Sequence, residues 1–232
     1  MRVGLFIPCF VDQFYPEVGK AMVAVLRRLG VEVCFPPEQT CCGQPAFNTG
    51  YWDEARTLAK RYCDIFDGYD AVVSPSGSCT AMVRNFYPEL LGKIRHASAN
   101  TFEFSEFLVK KLAVTDVGAK FAAKVTYHDS CHTLRELRLK EEPRKLLRAV
   151  QGLELVEMTE AETCCGFGGT FSVKFPTIST AMDDVKCQSI VATGAQYVVS
   201  VDSSCLMQIG GLLRRRDLPV QTKHLAEVLA KT

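Results

Sequence analysis

No stretch of this 232-residue sequence is apolar for the ~20 residues that a membrane-spanning helix needs. Nor does either sign of charge prevail: 27 Lys and Arg stand against 26 Asp and Glu, a net charge of +1. A chain so balanced carries no broad field for nucleic acid or an anionic membrane. The opening MRVGLFIPCFVD has one positive charge and a short apolar run, but Pro8 and Asp12 interrupt it and no small-residue cleavage site follows. It reads as a first strand rather than a secretory leader, and a cytoplasmic location is expected. No P-loop is present, and the glycine-rich GFGGTFS has Phe171 where a dinucleotide fingerprint needs its third glycine. No Arg and His are placed by sequence logic to clamp and deprotonate a small hydroxy acid.

Cysteine, by contrast, is abundant, with 11 in the chain. In a reducing compartment a disulfide framework is disfavoured, so metal binding or redox chemistry is the better account. The cysteines fall into a repeat. The order Cys9, Cys41–Cys42, Cys79 recurs as Cys131, Cys164–Cys165, Cys205, with spacings Cys-x31-Cys-Cys-x36-Cys and Cys-x32-Cys-Cys-x39-Cys. Four cysteines repeated in order at near-equal spacing indicate a duplication. The halves run over 1–115 and 120–232, and LAVTDVGAK (112–120) forms the joint.

Secondary-structure patterns repeat with the cysteines. RVGLFIP, VEVCFP and DAVVSP read as short buried strands, as do KVTYHD, LELVEM and YVVSV in the second half. PEVGKAMVAVLRRLG, WDEARTLAKRYCDIF, EEPRKLLRAV and ISTAMDDVKCQSIVATG carry apolar residues at helical spacing, the last ending at a Gly194 cap. Alternation of strand and helix predicts an α/β fold of two tandem Rossmann-like βαβ repeats with parallel sheets. Ligands of such sheets bind beyond the carboxyl ends of the strands. Cys9, Cys41–Cys42 and Cys79 each follow a strand, so each half is expected to bring four thiols to one rim.

Soft sulfur donors select zinc, Cu(I) or iron–sulfur clusters. Structural zinc usually sits between Cys-x2–4-Cys knuckles, and here Ser76 and Asp202 occupy the first position of what would be a Cys-x-x-Cys. A Cys-Cys pair with two distant single cysteines is compatible with a cluster held by four thiolates. Zinc and a vicinal thiol–disulfide switch remain as rival readings.

The segments FVDQFYPEVG, TCCGQPAFNTGY, PSGSC, YHDSCH, TCCGFGGTFSVK and HLAEVLA resemble the cysteine-rich CCG domain, and most closely the lactate-utilisation protein A family. The resemblance covers nearly the whole chain. It implies an iron–sulfur electron-transfer subunit without flavin, acting with two partner subunits, one of them a ferredoxin-like iron–sulfur protein, to oxidise L-lactate to pyruvate. It assigns Cys9, Cys41, Cys42, Cys79, Cys131, Cys164, Cys165 and Cys205 as ligands of one or two clusters of the 4Fe-4S type, and it allows zinc in one half. Relatives of the heterodisulfide reductase type have a fifth cysteine per half. Ser76 and Asp202 depart from that pattern and favour an ordinary cubane or a labile site.

The remaining residues have plainer readings. Cys34, Cys63 and Cys187 read as core filler. His128, Asp129 and His132 flank Cys131 as donors to cluster sulfur or a proton relay, or else the segment is only a strand end and helix start capped by Asp129 or Ser130. Cys131 and His132, adjacent at a helix start, are expected to diverge. Phe167, Phe171 and Phe175 read as core, and LLRRR (212–216) as a solvated helix end.

Overall fold

The computed structural model describes residues 1–232. Each half builds a four-stranded sheet. In the first, β1 (Val3–Leu5), β2 (Val33–Cys34), β3 (Ala71–Ser74) and β4 (Thr101–Glu103) lie in the order β2-β1-β3-β4. In the second, β5 (Lys120–Tyr127), β6 (Gln151–Leu155), β7 (Tyr197–Ser200) and β8 (Gln221–His224) lie in the order β6-β5-β7-β8. Every pairing is parallel, as the predicted α/β class requires. The fourth strand of each half goes beyond the three expected. These edge strands are short and polar: Thr101–Glu103 buries a carboxylate, and Gln221–His224 has no apolar residue.

The predicted helices form where their apolar stripes can be buried. Pro16–Arg28 buries Val18, Met22, Val25 and Leu26 on one face, with Pro16 pre-setting the first turn. Trp52–Phe66 buries Ala55, Ala59, Tyr62, Cys63 and Phe66. Pro176–Ala192 is its counterpart and buries Lys186 and Cys187 at the corresponding place. Gly194 follows that helix in the left-handed region (φ +64°), where glycine carries no penalty.

The halves are not independent beads. The largest apolar cluster, 26 buried residues, draws on both: Met22, Val25 and Leu26 pack with Leu225, Val228 and Leu229, and Phe104 and Phe107 with Tyr127. Burial of each large side chain is worth about 1.5–3 kcal/mol. The Arg28 guanidinium adds a polar tie across the same seam, donating to the carbonyls of Val117 (2.9 Å), Leu229 (3.1 Å) and Ala230 (2.8 Å). Smaller clusters fill the outer side of each sheet, around Phe6, Tyr62, Phe66 and Tyr87 in the first half and Ile190, Ile209 and Leu213 in the second.

At the carboxyl ends of the strands the halves meet closely. A Cβ added to Gly77 would lie 1.7 Å from Thr133 Oγ1 and 2.9 Å from Thr133 Cβ, so no side chain fits there. We expect Gly77→Ala to cost about 1–3 kcal/mol through overpacking, a fall in Tm of roughly 2–4 °C per kcal/mol for a chain of this size. Thr133→Ala in the same chain should recover part of the loss. An unchanged Tm for Gly77→Ala would show that this contact does not hold the halves together.

Candidate metal centre

The order β2-β1-β3 makes the chain cross the sheet in opposite directions on leaving β1 and β2, opening a crevice beyond the strand ends. Cys9 opens the helix Cys9–Phe14 after β1, and Cys41–Cys42 lie on the loop after β2. Cys79 lies in the helix Gly77–Ala81 after β3. Cys131, Cys164–Cys165 and Cys205 take the corresponding places in the second half. The carboxyl ends of the two sheets face each other, and all eight cysteines line a single cavity of about 150 Å³ between them. The rim is apolar, and Phe10 of the first half meets Phe167 of the second edge to face at 5.6 Å.

Specific polar contacts fix each Cys-Cys loop. Gln39 ties its loop to β1, accepting from the Ile7 amide (2.7 Å) and donating to the Leu5 carbonyl (3.0 Å). The Tyr87 hydroxyl donates to the Cys42 carbonyl at 2.9 Å. In the second half the Asp129 amide donates to the Ala161 carbonyl (3.1 Å) and Ser179 Oγ to the Gly166 carbonyl (2.8 Å). After each pair a glycine takes positive φ, Gly43 at +82° and Gly166 at +84°. This turns its amide back onto the first sulfur of the pair, 3.3 Å from Cys41 Sγ and 3.3 Å from Cys164 Sγ. The glycine of the Cys-Cys-Gly triplet thus serves both a sharp turn and a sulfur hydrogen bond.

The sulfurs form matching chains. In the first half Cys41 lies between Cys42 and Cys9, and Cys42 Sγ is 3.4 Å from Cys79 Sγ. In the second, Cys164 lies between Cys131 and Cys165, and Cys165 adjoins Cys205. Contacts from Cys42 and then Cys9, with the Gly43 amide, stabilise the Cys41 thiolate and bring its pKa down to about 3. Cys131, Cys165 and the Gly166 amide likewise bring Cys164 to about 2. Their neighbours hold their protons: Cys9, Cys42, Cys131 and Cys165 are all pushed up, chiefly by the adjoining thiolate. One thiolate per half is therefore ready to receive a metal ion, and binding would displace the remaining protons.

Ser76 and Asp202 stand at corresponding places in the repeat, and they bond to each other rather than facing the thiols. Asp202 is 1% exposed, and its carboxylate accepts from Ser76 Oγ (2.8 Å), Ser78 Oγ (2.8 Å), the Ser78 amide (3.1 Å) and Ser130 Oγ (2.5 Å). Ser76 Oγ also caps the helix bearing Cys79, accepting from the Cys79 amide at 3.3 Å. Where a fifth cysteine is missing, the chain has a buried crosslink between its halves.

The flanking residues divide. Asp129 is no cap: its carboxylate takes a two-pronged bond from buried Arg144, at 2.8 and 2.7 Å, and Glu157 takes another prong at 2.8 Å. His132 does not diverge from its neighbour: Cys131 Sγ lies 3.6 Å from Nδ1, where the chain enters a π-helical turn (His132–Glu136). His128 is fully buried, and one of its ring nitrogens lies within 4.8 Å of both Cys165 Sγ and Cys205 Sγ. Burial, with Lys186 nearby, lowers its pKa to about 3, so the ring is neutral.

Sequence reasoning overlooked Lys186, which is wholly buried and donates to the carbonyls of Glu160 and Ala161, the latter at 3.3 Å. The buried face of its helix is mostly polar, with Ser179, Asp183 and Ser189 beside it, so no local pattern marks this lysine. Cys63 and Cys187 are core as expected, whereas Cys34 on edge strand β2 is only half-buried. Phe167, Phe171 and Phe175 are not core: Phe167 lines the cavity and Phe175 is 51% exposed. They sit on the cavity lip and on the short helix Thr170–Lys174 beyond it, which buries no residue.

Paired parallel sheets with duplicated Cys-Cys-Gly loops define a cysteine-rich repeat protein. The cysteine-rich domain family known as CCG matches residues 3–84 and again 125–210. The chain is 51% identical to lactate utilization protein A of Bacillus pumilus, over 99% of both chains. It is 48% identical to the protein of that name from an Exiguobacterium species, over 98% of this chain and 96% of the other. With lactate utilization protein A 2 of Bacillus cereus it shares 45% identity over 100% of this chain and 98% of that one. This chain belongs to the lactate utilization protein A family. In fold alone it is like a hypothetical protein from Helicobacter pylori (TM-score 0.65, 9% identity), covering 98% of this chain and 48% of that crystal structure's. No helix is long and apolar enough to cross a membrane.

The thiol pKa values predict an order of reactivity opposite to exposure. In reduced, metal-free protein, Cys41 and Cys164 keep their thiolates as pH falls until it nears their depressed values, whereas a thiol at 9.0 loses reactivity tenfold per pH unit. Brief iodoacetamide treatment at pH 6, mapped by peptide mass spectrometry, should label half-buried Cys41 and Cys164 ahead of exposed Cys9. Faster labelling of Cys9 would contradict this charge distribution.

Proposed function

We propose that this chain is an iron–sulfur electron-transfer subunit of a multi-protein system that oxidises L-lactate to pyruvate. The observation that carries the reading is the convergence of all eight repeated cysteines on one cavity between the halves. The donor set fits an iron–sulfur group: soft thiols, one per half already ionised, glycine amides aimed at sulfur, and an apolar rim. Cys9, Cys41, Cys42 and Cys79 would hold one 4Fe-4S-type cluster, and Cys131, Cys164, Cys165 and Cys205 a second.

Lactate oxidation releases two electrons and two protons, and an iron–sulfur group moves electrons singly. This chain would therefore relay electrons between a centre in one of two partner subunits, one ferredoxin-like, and an acceptor, with the substrate bound elsewhere. The shared cavity favours exchange between the halves. The thiols would stay loaded in a reducing compartment such as the cytoplasm. The lactate utilization name of the relatives supports the pathway.

Iron and acid-labile sulfide measured on protein purified without oxygen test the reading. About four irons with matching sulfide are expected per loaded half. Cys42→Ser and Cys165→Ser should each remove the iron of one half only. Zinc in place of iron, or a metal-free chain, would refute an electron-transfer role.

A further inference from the structure

The two halves share a backbone but differ directly behind the thiols. Phe6 precedes Cys9 by three residues, and His128 precedes Cys131 by three. Their backbones are equivalent: the Phe6 amide donates to the Val73 carbonyl at 3.0 Å, and the His128 amide to the Val199 carbonyl at 2.9 Å. Tyr62 and Lys186 form a second such pair, each just before a buried cysteine of the corresponding helix (Cys63 and Cys187). Behind Cys42 and Cys79, then, stand two aromatic rings in edge-to-face contact at 4.9 Å. Behind Cys165 and Cys205 stand an imidazole and an ammonium, both fully buried.

His128 has no hydrogen-bond partner at either ring nitrogen. The nearby Ala161 carbonyl is already taken by the Asp129 amide and the Lys186 ammonium. Leaving such a group unpaired in an apolar interior is unfavourable. Phe6 shows that the fold accepts a ring here without nitrogen. The other buried histidine, His224, has both nitrogens occupied, by the Ala226 amide and the Pro75 carbonyl.

We infer that His128 is a nitrogen ligand of the centre in the second half, beside Cys165 and Cys205, taking one of the four terminal positions so that one thiol of that half is left off the metal. The inference rests on the reading of these cysteines as metal ligands. It makes the halves chemically unequal: the first offers sulfur only, the second sulfur and nitrogen. Imidazole is a neutral donor, and Lys186 adds a cation beside Cys165 and Cys205. Both make the second centre easier to reduce than the first, as nitrogen ligation does in other iron–sulfur centres. Electrons reaching the chain would therefore rest in the second half.

The test uses the full chain loaded with iron and sulfide without oxygen and reduced by dithionite. Pulsed EPR, comparing natural-abundance with ¹⁵N-histidine-labelled protein, should show the strong coupling of a directly bound nitrogen. His128→Phe, which installs the residue of the first half, should abolish that coupling and lower the potential of one centre only. His132→Gln should retain it. The labelled wild-type chain needs no variant to fold, so the result stands even if His128→Phe does not. A loaded second centre with only the weak coupling of a hydrogen-bonded nitrogen, or none, overturns the assignment and leaves the electron-transfer reading intact. Should the chain take up zinc instead, X-ray absorption at the zinc edge decides the matter: nitrogen among the sulfurs supports His128 while the electron-transfer reading falls, and sulfur alone overturns both.

Discussion

The carboxylate of Asp202 sets the geometry on which the site depends. It lies in the second half, yet two of its hydroxyl donors and an amide donor belong to the first, Ser76 and Ser78, while Ser130 binds it from its own half. A buried carboxylate must find such donors, because desolvation without them costs several kcal/mol. Satisfying it fixes the start of the helix carrying Cys79 and the start of the segment carrying Cys131 relative to Cys205. The absence of a side chain at Gly77 permits that approach. Two rims that could each have faced solvent are thereby locked face to face. A fifth cysteine at Ser76 or Asp202 would replace this crosslink with another sulfur, so the two designs exclude each other at that position.

Duplication gives the molecule one backbone solution used twice. The glycine after each Cys-Cys pair, the amide on its first sulfur and the carbonyl receiving the Phe6 or His128 amide recur within 0.1 Å. The side chains behind that backbone are free to diverge, and they have. Phe6 and Tyr62 contribute apolar packing and a quadrupole; His128 and Lys186 contribute a lone pair and a charge. Lys186 is answered by the Glu160 and Ala161 carbonyls, but burying the unpaired imidazole of His128 is unfavourable unless something else answers it. An identical scaffold therefore presents the difference without confounding changes in fold.

Much of this was legible in the sequence because its signals were local or repeated. The six strands with β-branched runs, the amphipathic helices and the equal cysteine intervals follow from periodicity and spacing alone. What was hidden depends on the packing of one half against the other. Nothing local marks Asp202 as an inter-half crosslink, since its donors lie 72 and 124 or more positions away. The edge strands Thr101–Glu103 and Gln221–His224 escaped because edges tolerate polar residues that erase the alternation. Phe171, spaced like a core residue, belongs to a short helix with no core to cover, and Phe167 and Phe175 flank that helix. His132 touches Cys131 at the entry to a π-helical turn, where spacing rules for α-helices do not apply.

The site and the stability of the fold are separable to an unusual degree for a cysteine-rich protein. In small metal-stapled domains the thiolates organise the chain, and removing the metal unfolds it. Here 87 of 232 residues are buried and the main apolar cluster crosses the seam between the halves. Arg28 and Asp202 close the same seam with hydrogen bonds that need no metal. Within the cavity Cys41 and Cys164 are the ionised thiols, while Cys9, Cys42, Cys131 and Cys165 keep their protons. Cys42 and Cys165, only 2% and 3% exposed, are held by the scaffold itself. Replacing either removes a donor from a site whose walls remain standing.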